Sequence, residues 1–290
     1  MQFRKRTLIF GVLYVLAMVC SAALARSPVP KPVLYFNPIA TNQKENDKAW
    51  RNAGTSGGEL EHSNIKPILE EGVIEIAALG FKEAAKWYTA KEPNSTFSNA
   101  AQGPKTPVIH LQDWTIGLLI RVNGPQLLEE HHAFGIQATP REQVQNIRLW
   151  LAGDDSGDFG NLSVAQGAIG GREDFQKNRT NMSVRRKEWH WAHFVFESGK
   201  RLTGYIDGKE TANISTSLKF DKKHDMNLHS IFSHSRAEQR RTCNCSIAIY
   251  RVYDKALSEA EINRNIRGTY PVVEPAEKLS TTWGKVKSGH

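Results

Sequence analysis

Apolar side chains along this chain recur mostly at every second position, the period of a strand with one buried face. After a short first strand at Val33-Leu34-Tyr35-Phe36, such runs fall at 72–79, 85–89, 107–111, 113–122, 132–138, 146–151 and 161–166. Three more, at 189–197, 201–206 and 209–215, are separated only by Ser198-Gly199 and Asp207-Gly208. Asp-Gly between alternating runs suits a two-residue hairpin, whose central positions need positive φ, so these three runs predict a meander. Residues 189–197 break the alternation. Trp189, Trp191 and Val195 lie on one face and Phe194 and Phe196 on the other, the mark of a strand buried on both sides. That predicts a central strand whose outer face is covered by a loop or forms the floor of a concave groove. The polar stretches 37–68 and 167–187 predict loops around the strands.

Helical spacing appears once, near the end. Ile247, Ile249 and Tyr253 alternate on one side of a closing strand, and the residues after it spell out a helix start. Ser258 is placed to cap it, Glu261 can reach back as a capping box, and Leu257 with Ile262 makes a hydrophobic staple. Ile262 and Ile266 form the apolar stripe and Gly268 the stop. A last strand followed by one small helix resembles the closing segment of LamG-like jelly rolls, relatives of the concanavalin A-like lectins and glucanases. Glu188-Trp189-His190-Trp191 with Tyr205-Ile206-Asp207-Gly208 resembles the Trp-His…Tyr-x-Asp-Gly segment of that family. Trp50-x-Asn52-x-Gly54 with Gly57-Gly58, and Asp113-Trp114-Thr115-Ile116, resemble its opening loop and first sandwich strand. The resemblance covers roughly 33–270. It implies an all-β, concanavalin A-like jelly-roll β-sandwich with one short C-terminal helix. It also implies a binding module rather than a catalyst, with polysaccharide or glycoconjugate as the ligand class, met on the concave sheet or the loop rim. A glycan hydrolase or lyase with an unfamiliar site, and a protein-binding adhesion module, are the rival readings, because fold alone does not assign function.

The first residues change the picture of the mature chain. Arg4, Lys5 and Arg6, the apolar run from Leu8 to Cys20, and Ala23-Leu24-Ala25 before Arg26 read as a signal peptide over 1–25. The run is too short for a confident spanning helix. The mature protein is therefore expected in the periplasm or outside the cell, with a short linker at 26–32, one domain over 33–270 and a tail at 271–290. Losing residues 1–25 lowers the net charge from +8 to +5. The remaining basic clusters, Arg185-Arg186-Lys187 and Arg240-Arg241, lack the interleaved aromatics of a nucleic-acid surface and read as solvated strand ends. Cys243 and Cys245 are the two cysteines after the signal segment, two apart on a strand; a bridge between them and two buried free thiols are both open.

Several constellations invite chemistry. Gly54-Thr55-Ser56-Gly57-Gly58 matches Gly-x-Ser-x-Gly, but no apolar strand precedes it and no helical run follows, so it reads as a flexible turn. Glu70-Glu71-Gly72-Val73-Ile74-Glu75 lacks the central aspartate of the Glu-x-Asp-x-x-Glu pattern by which glucanases of this fold place two carboxylates across a sugar bond. The histidine pairs His131-His132 and His190…His193 point to opposite faces of a strand, which excludes a shared metal. Asp154, Asp155 and Asp158 form the densest acidic loop and, with loop carbonyls, can hold Ca²⁺; the alternative is a plain hairpin tip. Adding calcium to chelator-stripped protein is then expected to stabilise it by roughly 2.7 kcal/mol at a hundredfold excess over Kd, read as a rise in melting temperature. Asp155→Asn with Asp158→Asn should abolish the shift. Trp87, Tyr88, Trp150 and Phe159 are the aromatic candidates for stacking on a sugar ring. Sequons at Asn94, Asn161, Asn178, Asn181, Asn213 and Asn244 read as glycan sites if the protein is exported by a eukaryotic cell.

Overall fold

The computed structural model describes residues 30–62, 65–90, 95–98, 106–124, 131–139, 145–152, 159–167, 180–233 and 242–268. The chain divides into Met1–Pro30 and Lys31–His290, and the second unit is described below. Signal segment, most of the linker, acidic loop 154–158 and tail 271–290 lie outside the described residues.

The strands are β1 Leu34–Phe36, β2 Ala49–Arg51, β3 Glu59–His62, β4 Ile68–Ile76, β5 Phe81–Thr89, β6 Phe97–Ser98, β7 Trp114–Val122 and β8 His131–Thr139. They continue as β9 Asn146–Ala152, β10 Phe159–Gly167, β11 Met182–Arg185, β12 Trp189–Glu197, β13 Arg201–Ile206, β14 Lys209–Ser215, β15 Asp225–Ile231 and β16 Cys245–Tyr253, before helix α1 Glu259–Arg267. Two antiparallel sheets result, a jelly-roll sandwich. The first runs β14-β13-β12-β7-β16-β5-β4, with β1 beside β16; the second runs β11-β10-β9-β8-β15-β6-β3-β2. Their inner faces share one core that includes Phe36, Trp50, Phe97, Phe134, Phe194 and Tyr250.

The meander is β12, β13 and β14 as predicted, with Asp207 and Gly208 at φ 51° and 80°. Gly208 is required for a second reason: a Cβ there would come within 2.2 Å of Asn263 Oδ1 on α1. The helix begins as its sequence reads. Glu261 N–H donates to Ser258 Oγ at 3.3 Å and Ser258 N–H to Glu261 Oε2 at 2.8 Å. Ser258→Ala should therefore cost about 1 kcal/mol in a urea melt while Ser258→Asp is nearly neutral; an unchanged alanine variant would show that the cap contributes nothing.

Elsewhere the structure corrects the reading. The 37–68 stretch is not only loop: β2 and β3 pair with each other and close the edge of the second sheet. Each is too short to show an alternation, and each sends one apolar residue, Trp50 or Leu60, fully inward. β11 lies inside the expected 167–187 loop and pairs with β10. β15 escaped notice because a register shift between Met226 and Leu228 interrupts its period. Of 107–111, Ile109 alone bridges, to Met226. A second shift, between Ile247 and Ile249 in β16, sends Ile247 to the inner core and leaves Ile249 and Tyr253 outside, so the three do not share a face. Cys243 and Cys245 are bridged, with Cα atoms 5.4 Å apart.

A second core lies on the outer face of the first sheet. β5 pairs with β16 only through Tyr88 and Thr89. The rest of the β4–β5 hairpin curls over that face, where Trp87 meets Trp189 edge-on at 5.4 Å and Ile74 and Ile76 join Trp191 and Ile249. Leu257, Ile262 and Ile266 of the α1 region pack into the same cluster. This is why β12 is apolar on both faces: a curled hairpin and a helix, rather than a loop, cover the outer one.

Candidate functional site

Between the bend of the hairpin and the ends of β7 and β12, the second core leaves a groove of about 470 Å³. Its sheet side is formed by Arg121, Lys187, Glu188, Trp189, His190 and Asp207, and its hairpin side includes Val73, Glu75 and Ile76.

Arg121 is the best-organised group. It stands opposite Trp189 in the β7–β12 ladder, and its guanidinium carbon lies 5.0 Å from the Trp189 ring centre and 5.4 Å from that of Trp87. Nε donates to Asn123 Oδ1 at 3.0 Å and Nη2 to Ser246 Oγ at 3.2 Å. The Glu70 carboxylate is 3.9 Å from Nη2, because Glu70 Oε2 is already taken by Trp87 Nε1 and Thr89 Oγ1 at 2.5 Å each. Burial pulls the Arg121 pKa below the usual guanidinium value, with Glu70 opposing, and the group stays charged at any physiological pH. Two aromatic faces and two hydrogen-bonding anchors thus hold one cation in a fixed direction.

Beside it, His190 Nδ1 and Asp207 Oδ2 are 2.9 Å apart, and Asp207 Oδ1 accepts the Trp191 N–H at 2.9 Å. The residue that turns the β13–β14 hairpin therefore also fixes the imidazole. His190 Nε2 is buried and has no hydrogen-bond partner among the described residues. Lys187 sits in the turn before β12 at φ 65°, its N–H donating to Val122 O at 2.7 Å.

The aromatic candidates scatter. Trp87 borders the site but is only 7% exposed, its ring faced by Arg121, so it positions the cation rather than offering a stacking surface. Tyr88 is fully buried between Trp50 and Phe97, its ring centre 4.9 and 4.7 Å from theirs, and offers no surface to a ligand. Neighbouring strand positions face opposite ways, so the two could not serve together. Trp150 is half-buried on the outer face of the second sheet, in a cross-strand row with Ser163 and His132. Phe159 opens β10, its side chain outside what is described, as are Asp154, Asp155 and Asp158. Among the described residues no group of three metal-ligating side chains converges. The Gly-x-Ser-x-Gly segment is a turn whose Ser56 hydroxyl donates to Val33 O at 2.8 Å. Sequence reasoning missed Arg121, although an arginine near the end of the apolar run 114–122 was a usable signal.

Among the described residues no helix is long and apolar enough to cross a membrane. The fold is similar to that of Trypanosoma rangeli sialidase in complex with the inhibitor DANA, at TM-score 0.51 and 10% identity over 83% of this chain and 34% of that one. The botulinum neurotoxin serotype D binding domain gives TM-score 0.47 and 9% identity over 82% of this chain, which spans about half (51%) of that domain. The Ruminococcus gnavus IT-sialidase CBM40 bound to α2,3-sialyllactose gives TM-score 0.41 and 13% identity, over 61% of this chain and 94% of that one. No curated protein matches the sequence significantly. The laminin G-type family model matches residues 95–263, more than half of the chain, and by that match the chain belongs to the concanavalin A-like lectin/glucanases superfamily.

Proposed function

We propose that this chain is an exported, non-catalytic saccharide-binding module whose ligand lies in the groove around Arg121. The observation that carries the reading is the preorganised guanidinium, fixed by Trp87, Trp189, Asn123 and Ser246 at the wall of an open groove. A sugar ring presents hydroxyls that need directed donors and acceptors, and a C–H face that needs an apolar wall. Arg121 and Glu188 supply the first, and Val73, Ile76 and Trp189 the second. Export is supported by the basic-apolar-Ala-x-Ala start and by a Cys243–Cys245 bridge suited to an oxidising compartment. Mass spectrometry of the exported protein is expected to find a chain beginning at Arg26, whereas an intact Met1 on a membrane-bound product would mean an anchor.

A glycan array on the purified protein, followed by calorimetry, tests the binding function. Arg121→Ala should weaken any hit roughly 10- to 100-fold, the worth of hydrogen bonds to a charged group. Trp150→Ala, on the opposite sheet, should leave it unchanged. The reverse result would move the site to the outer face of the second sheet, and an array without hits would reject the saccharide reading.

A further inference from the structure

We propose that the ligand of this groove is an acidic sugar, its carboxylate or sulfate held between Arg121 Nη1 and Lys187 Nζ; this rests on the saccharide reading and narrows it. The charge balance of the groove leads there. Three carboxylates line it, Glu75, Glu188 and Asp207, and each already has a partner. Glu75 pairs with Lys82 at 2.8 Å and Glu188 with Arg185 at 3.6 Å, while Asp207 is engaged by His190 and the Trp191 N–H at 2.9 Å each. The two cations are under-supplied. Arg121 commits Nε to Asn123 and Nη2 to Ser246, and its ion pair with Glu70, at 3.9 Å, also falls on Nη2, which leaves Nη1. Among the described residues neither Arg121 Nη1 nor the Lys187 ammonium has a partner.

Two cations with free donors, beside walls that include Val73, Ile76 and Trp189, make a place where an anion gains more than it would in water. The backbone of Lys187 adds an independent observation. At φ 65° it occupies the left-handed region that glycine enters freely and a lysine enters at a cost. A strained residue on the lip of a groove points to a use for its side chain. The run Arg185-Arg186-Lys187, which the sequence presents as a solvated strand end, therefore has two roles. Arg185 neutralises Glu188, and Lys187 is left for the ligand.

The experiment is calorimetric titration of the full exported chain with three hexasaccharides: hexagalacturonate for a carboxylate, a heparin-derived hexamer for a sulfate, and cellohexaose as the uncharged comparison. At low salt one acidic hexamer is expected to bind at least about tenfold more tightly than cellohexaose, the margin shrinking at high salt. Tighter binding of hexagalacturonate assigns the carboxylate; tighter binding of the heparin hexamer, which carries both groups, assigns the sulfate when its desulfated form loses the margin. Lys187→Gly should remove roughly tenfold of the acidic affinity while melting at or above the wild-type temperature, since glycine relieves the left-handed residue; lost folding could not produce that combination. Arg121→Lys should recover part of what Arg121→Gln loses, the charge without the planar fork. Equal binding of acidic and neutral hexamers, or an acidic preference indifferent to both substitutions, overturns the proposal and leaves the saccharide reading standing. No binding of any hexamer overturns the proposal, and the glycan array then decides the saccharide reading.

Discussion

Trp50→Ala is expected to cost about 3–5 kcal/mol of stability, the range for emptying a fully buried tryptophan site. Trp50 has no exposed surface and its ring centre lies 5.6 Å from Phe36, 4.9 Å from Tyr88 and 5.4 Å from Phe97. Phe36 and Tyr88 belong to the first sheet, Trp50 and Phe97 to the second, so this ring joins the two layers. None of Phe36, Trp50 and Tyr88 lies within the 95–263 family match, and the variant therefore asks whether the preceding residues are part of the same cooperative core. Trp50→Phe should be much milder: it keeps an aromatic ring and removes an indole N–H with no acceptor among the described residues. Urea titrations of both variants decide the matter. A loss below about 1 kcal/mol for the alanine variant would return 37–68 to the role of a wrapping loop.

Acidification from pH 7.5 to 5 should cost about 4 kcal/mol of stability, through two buried histidines. His193 is 1% exposed, stacked on Trp191 at 5.6 Å, and so close over Gly117 that a Cβ there would meet its ring at 2.8 Å. Burial, reinforced by the positive charge of Arg251, pulls its pKa down to about 3. Burial likewise pulls His229 to about 4, although the Pro107 carbonyl at 2.9 Å opposes the fall. The unfolded chain takes up both protons near pH 6.5 and the folded one does not, so stability is full above that value. It is lost as pH falls through 6.5 toward the folded values. The carboxylates with lowered pKa, Asp47 and Glu261 among them, act in the same direction but only at lower pH, within the carboxylate range. His193→Leu should halve the loss between pH 7.5 and 5. A melting temperature that is flat across that interval would show that these imidazoles reach water.

The parts legible in the sequence are those whose causes are local. An Asp-Gly turn between two period-2 runs specified β12 to β14, because a two-residue hairpin needs only adjacent residues and their φ angles. The start of α1 was readable from Ser258 to Ile262 for the same reason: each orphan N–H finds its partner within one turn. The strands that escaped were short, as with β2, β3 and β11, or broken by a register shift, as with β15. A three-residue strand carries no period, and it exists because a neighbouring strand offers a free edge that no local pattern displays.

The site belongs to the second category. Arg121, Trp87, Trp189, Glu70 and Ser246 lie on five strands, β7, β5, β12, β4 and β16, and become neighbours only when the β4–β5 hairpin curls over the first sheet. The sequence by itself determined the all-β class, the meander, the capped closing helix and the two-sided burial of β12, all written in periods and turns of a few residues. Only the tertiary structure decided which side Ile247 faces, what covers Trp191, that Tyr88 is core, and that an arginine at the end of an apolar strand faces an open groove. Burial and charge pairing are sums over neighbours far apart in the chain, and those neighbours are not known until the sheets have closed on each other.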